Sequence, residues 1–140
     1  MSEPEVADRG ATAEPAAPSI EKMTEFCPKY ASLMDLLSRR WMGIVLRVLL
    51  SGPHRFNEIL TAVPGLSDPL LTQRLRELEA KKLAERRVYP TSPVRVEYVL
   101  TESGRDLERA VRVLSEWADK WWTPPVAELP EGDPAAGGPA

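Results

Sequence analysis

A mainly α fold with a small β-hairpin, ordered as a winged helix-turn-helix, is what this 140-residue sequence predicts. Three observations carry the prediction. Apolar residues recur at helical spacing through most of the stretch from Phe26 to Trp122. Two of those helical segments meet at a tight Pro64-Gly65 break. After Leu83 the apolar period drops from helical spacing to strict alternation, then returns to helical spacing.

Each element follows from its residues. Leu33, Leu36 and Leu37 mark a first helix over about 29–39, with Asp35, Arg39 and Arg40 between and after them. Trp41 to Leu50 is apolar nearly all round, with Arg47 the charged exception, as suits a helix at the centre of a small domain. Ser51-Gly52-Pro53 ends it, because proline cannot continue the ladder. Phe56, Ile59, Leu60 and Val63 describe an amphipathic helix of about two turns. Ser67-Asp68-Pro69 reads as a helix start, an oxygen-bearing cap before a proline in the first turn. Leu71, Leu75 and Leu78 are the buried stripe of the helix 67–82, and two helices joined by so short a turn make a helix-turn-helix. Val94, Val96, Tyr98 and Leu100 alternate with Arg95, Glu97 and Val99 as one strand. Ala84 to Tyr89 is its antiparallel partner, and Pro90-Thr91-Ser92-Pro93 is the loop between them. Thr101 then caps one long helix over 102–122, with Leu107, Ala110, Val111, Leu114, Trp117 and Trp121 as its stripe.

Composition sets the bounds. Residues 1–25 and 123–140 are poor in large apolar side chains and rich in Pro, Ala, Gly and acids, so both read as disordered acidic tails around a folded domain at 26–122. The net charge of −3 hides a division. Once the tails are set aside, residues 26–122 carry 16 basic against 12 acidic side chains, a charge of +4 that permits a nucleic-acid partner. The single cysteine, Cys27, rules out an internal disulfide and suits a reducing compartment. The N-terminus lacks the basic start and apolar stretch of a signal peptide. The apolar run from Trp41 to Leu46 is far too short to span a bilayer. The expected location is cytoplasmic, with no membrane partner.

The run from Cys27 to Trp122 resembles the HxlR-type winged helix-turn-helix transcriptional regulators, relatives of the MarR-like fold. The likeness lies in Phe26-Cys27-Pro28, in Trp41 with Leu49-Leu50-Ser51-Gly52-Pro53, and in Arg55-Phe56-Asn57-Glu58-Ile59. It continues through Pro64-Gly65-Leu66-Ser67, the helix Leu71 to Glu79, and the hairpin leading into Leu100-Thr101-Glu102-Ser103-Gly104. Two places depart from the pattern. Ser38-Arg39-Arg40-Trp41 replaces a glycine-containing junction, and Asp68 stands where many relatives carry lysine, so no basic contact is carried over there.

On the recognition helix the candidate DNA-binding residues are Ser67, Pro69, Thr72, Gln73, Arg74 and Arg76, since Arg and Gln can read base edges bidentately in the major groove. A merely solvated helix face is the plainer alternative. At the wing, Thr91, Ser92 and Arg95, with Arg86 and Arg87 nearby, suit phosphate contact or entry into the minor groove. Cross-strand pairing of Arg95 or Arg87 with Glu97 or Glu85 is the competing use. The resemblance implies that Cys27 is a candidate redox sensor, whereas an inert packed cysteine is the commoner state. Trp117, Trp121 and Trp122 crowd the end of the last helix, and together with Leu33, Leu36 and Leu37 they form the expected dimer interface. An aromatic ligand pocket is the other use for them. His54, alone in a Gly-Pro-His-Arg turn, reads as a surface residue. No catalytic residue, metal site or cofactor is expected, because no phosphate loop, nucleophile elbow or ligand cluster occurs.

These readings converge on a homodimeric, sequence-specific DNA-binding regulator acting on a pseudo-palindromic operator, with an oxidant or small molecule as its candidate effector. The alternative is a winged-helix module that binds a protein and not DNA.

Overall fold

The structure, a computed structural model, describes residues 19–124, so most of both expected tails lies outside the described residues. The chain divides after Met34 into two units. The described part of the first holds a 3-10 turn at Ile20–Thr24, inside the segment expected to be disordered, and the start of α1 (Pro28–Leu37), which runs across the division.

The second unit begins with the end of α1 and continues through α2 (Met42–Leu50), α3 (Phe56–Ala62) and α4 (Asp68–Ala80). The hairpin β1 (Ala84–Tyr89) and β2 (Arg95–Leu100) follows, then the single turn α5 (Glu102–Arg105) and α6 (Glu108–Trp121). The central helix is α2, which touches α3, α4, α6 and β2. It buries Met42, Val45, Leu46 and Leu49, spaced i, i+3, i+4 and i+7, while Ile44 and Arg47 are exposed, so the helix is more one-sided than its composition suggests. Ile59 of α3, Leu71, Leu75 and Leu78 of α4, and Leu100 of β2 complete the core around it. The β1–β2 ladder is antiparallel, with Ala84 opposite Leu100 and Tyr89 opposite Arg95.

Several expectations are corrected by the packing. Trp41 does not open α2; it sits one residue before it in a left-handed conformation, φ 70°, which a non-glycine residue enters at a cost of roughly 1–2 kcal/mol. Leu36 is a core residue, 7% exposed, and is therefore removed from the expected dimer surface. Leu33 is half-buried and Leu37 packs partly against the core. His54 is not a simple surface turn. Its N–H donates to Tyr98 O and its carbonyl accepts from Tyr98 N, at 3.1 and 2.8 Å, adding a one-residue bridge to the hairpin's edge.

The long last helix is two helices. Thr101 does cap, its Oγ1 accepting from Gly104 N at 3.3 Å, but the helix it starts ends at Arg105. The same hydroxyl donates to Lys82 O at 2.7 Å, drawing this turn onto the end of α4. The approach demands glycine at 104, where a Cβ would lie 2.2 Å from the Leu83 carbonyl oxygen. With α5 so anchored, the helix is interrupted at Asp106-Leu107 and α6 begins at Glu108.

Candidate nucleic-acid interface

The second helix of the helix-turn-helix, α4, is built to present one face. Gly65, at φ 94°, makes the turn that separates it from α3. Leu70 N–H donates to Ser67 Oγ at 3.3 Å, the expected cap, and Asp68 in the first turn complements the positive end of the helix dipole. Leu71, Leu75 and Leu78 fix the inward side. Pro69, Gln73 and Arg76 then fall together on the outward side at i, i+4 and i+7, all exposed. The side chains of Gln73 and Arg76 have no hydrogen-bond or ion-pair partner among the described residues, so their donors are open to a base edge.

The remaining candidates on α4 are occupied. Arg74 is 8% exposed, its Nε donating to Arg40 O at 2.8 Å and its Nη1 to both Glu77 oxygens at 2.8 and 2.9 Å. A guanidinium held in this way cannot reach a groove, so Arg74 leaves the interface. Ser67 is buried with its oxygen used as the cap, and it leaves too. Thr72 is half-buried, its hydroxyl donating back to Asp68 O at 2.9 Å.

The wing is the loop between β1 and β2. Thr91 donates to Pro93 O at 2.7 Å, which holds the loop closed on itself, and Ser92 is exposed at its tip. Arg95 lies over the Tyr89 ring, 4.4 Å from its centroid, and its Nε is 3.6 Å from Glu97 Oε2. Arg87 stands 3.4 Å from Glu85. Both ion pairs therefore run along a strand and not across the hairpin, correcting the expected pairing. The Arg87–Glu85 pair, exposed on both sides, is worth about 0–1 kcal/mol, little enough for a phosphate to displace the carboxylate, whereas Arg95 Nε is buried.

Away from α4 and the wing, α6 has no buried residue. Leu107 just before it and Val111 within it pack partly on the core, whereas Val113, Leu114, Trp117 and Trp121 form a second, exposed apolar stripe. Trp122 joins them, its ring centroid 6.0 Å from that of Trp117. Cys27, also exposed, occupies the position before α1, where its Sγ accepts from Tyr30 N at 3.4 Å.

Sequence reasoning missed the role of Arg74, although a signal was present. The residue stands three positions after Leu71 and four before Leu78, beside the buried stripe, with Glu77 one turn on.

A helix-turn-helix with a capped second helix and a following hairpin defines the winged-helix class of regulator. Comparison places the chain within that class. The family profile described as HxlR-like helix-turn-helix matches residues 36–125. The chain belongs to this family and is a helix-turn-helix transcriptional regulator, not an enzyme. It is 43% identical over 98 residues to the HTH-type transcriptional regulator YodB of Bacillus subtilis, covering 70% of this chain and 88% of that one. The HTH-type regulator YvaP of the same organism is 42% identical over 101 residues, covering 72% and 94%. Among solved structures, reduced YodB superposes with a TM-score of 0.63 at 42% identity, covering 71% of this chain and 98% of that one. The redox regulator HypR in its oxidised form gives 0.62 at 40% identity, covering 68% and 97%. Among the described residues no helix is long and apolar enough to cross a membrane.

Proposed function

We propose that the chain acts in the cytoplasm as a homodimer that binds a pseudo-palindromic operator, each subunit laying α4 in a major groove. Residues 26–122 form the DNA-binding and dimerisation domain in this reading; the flanking tails expected at 1–25 and 123–140 lie mostly outside the described residues. The observation that carries the reading is the outward face of α4, where Gln73 and Arg76 are exposed and unpartnered beside Pro69. Thr72 supports that face, while Thr91, Ser92 and Arg95 hold the adjoining phosphates from the wing. The exposed stripe Val113, Leu114, Trp117 and Trp121, with Trp122, supplies apolar surface for a second subunit, and Leu33 of α1 is retained as a dimer residue.

The test is a gel shift of random duplex DNA across a salt series. Phosphate binding weakens as salt rises, because neutralising phosphates releases counterions. Salt-sensitive retardation is expected. No retardation at low salt would favour a protein-binding winged helix.

The effector proposed is an oxidant acting at Cys27. Its exposure supports this, as does the similarity to YodB, whose structures include diamide-treated and quinone-bound forms. A lone thiol is oxidised by diamide either against a second copy's thiol or against a small thiol, two electrons and two protons passing to the diamide. Diamide is expected to lower operator affinity reversibly in the wild type and leave Cys27→Ser unaffected. Equal loss in both proteins would make Cys27 a plain structural residue.

A further inference from the structure

Glu77 collects two arginines that reach it from different places in the chain. Arg74, on the same helix, donates to both of its oxygens, and Arg39, just after α1, donates to Oε1 at 2.9 Å. Arg74 then spends its remaining direction on the Arg40 carbonyl, 2.8 Å away. The group is thus tied twice to the Ser38–Trp41 junction. That junction contains the left-handed Trp41, a conformation that persists only where its surroundings over-determine it. Side-chain exposures of 10% for Arg74 and 17% for Glu77 keep most water from competing.

We propose that Arg74 is a positioning residue: clamped by Glu77, it sets α4 against the start of α2 and so fixes where Gln73 and Arg76 stand. The inference rests on the DNA-binding reading above and deepens it. Geometry gives the reason for arginine at this place. One planar guanidinium serves a carboxylate on α4 and a carbonyl on the junction simultaneously, which a single ammonium on a flexible stem does not. Gln73 is the chain neighbour of Arg74 and Arg76 lies two residues on, so a change in the pitch of α4 moves both relative to a base edge. Contacts to phosphates tolerate such a shift far better than bidentate contacts to bases.

Glu77 gives the test its sign. Removing a carboxylate from a DNA-binding helix by electrostatics alone strengthens binding to every duplex. Loss of the clamp instead lowers discrimination between duplexes. The probes are a duplex selected by the wild-type protein from a random-sequence pool and a random duplex of equal length. Wild type, Glu77→Gln, Arg74→Met and Arg74→Lys are compared at fixed salt and across a salt series. The ratio of selected to random affinity is expected to fall about tenfold in all three variants, with the salt slope unchanged. Arg74→Lys keeps the charge and serves where Arg74→Met does not fold. A wild-type ratio retained in Glu77→Gln or Arg74→Lys overturns the proposal. A salt slope lower by about one in Arg74→Met overturns it in favour of a direct phosphate contact. Failure of the wild type to select any duplex is a different result, which removes the DNA-binding reading itself.

Discussion

Helices α4 and α6 are nearly equal in length, 13 and 14 residues, and they spend their apolar side chains in opposite ways. The first buries Leu71, Leu75 and Leu78 completely and shows polar side chains outward. The second buries none of its residues fully and shows Val113, Leu114, Trp117 and Trp121 outward. The difference teaches what each helix depends on. The position of α4 is set within its own chain, by packing on α2 and by the Arg74–Glu77 clamp. Only one edge of α6 is held in this way. Its outer stripe has apolar surface and aromatic anchors of the kind that protein interfaces are made from.

Six substitutions break or sharpen that contrast. Leu75→Ala, at a fully packed site, is expected to destabilise the folded unit by about 2–5 kcal/mol. Leu114→Ala, 68% exposed, should change monomer stability by no more than about 0.5 kcal/mol. Urea unfolding of both at low protein concentration makes the comparison, and equal losses would dissolve it. Next comes Trp117→Ala, expected to weaken self-association by about 1.5–3 kcal/mol, the worth of burying one large apolar side chain. Sedimentation at micromolar concentration reads this, and a wild type that sediments as a monomer there ends the dimer proposal.

On the outward face of α4, Gln73→Ala and Arg76→Ala are each expected to weaken binding to the selected duplex by about 1–3 kcal/mol and relax preference at one base position. Their urea midpoints should match the wild type, since neither side chain has a partner among the described residues. Intact affinity in both would show that the reading face is placed wrongly. At the wing, Arg95→Ala should weaken all duplexes alike and lower the salt slope by about one. A change in sequence preference there would mean that Arg95 reads a groove edge and not a phosphate.

Much of the fold was legible because periodicity reports directly on which side of an element is buried. The Leu71, Leu75, Leu78 stripe, the Ser67 cap and the Pro64-Gly65 break located α4 to within about two residues at each end. Alternation along Val96, Tyr98 and Leu100 gave β2 and its antiparallel partner Ala84 to Tyr89, while the register between them came from the structure. The break at Asp106-Leu107 was invisible. Leu107, Ala110, Val111 and Leu114 fit one continuous helical stripe, and the interruption arises from the docking of Gly104 on the Leu83 carbonyl, twenty-one positions away in the chain.

By itself, then, the sequence determined the order of elements as far as β2, the inward faces of α3 and α4, and the outward placement of Gln73 and Arg76. These depend on local spacing, which the chain carries residue by residue. Tertiary structure alone decided how deep each face lies and what its polar atoms meet. It made Leu36 core and left Leu114 bare, although both are leucines on helical stripes. It turned Arg74 from a surface cation into a clamp and gave the junction its left-handed Trp41. The physical reason is that burial and hydrogen-bond partnership belong to pairs of surfaces, and a single segment's pattern specifies only one of the two.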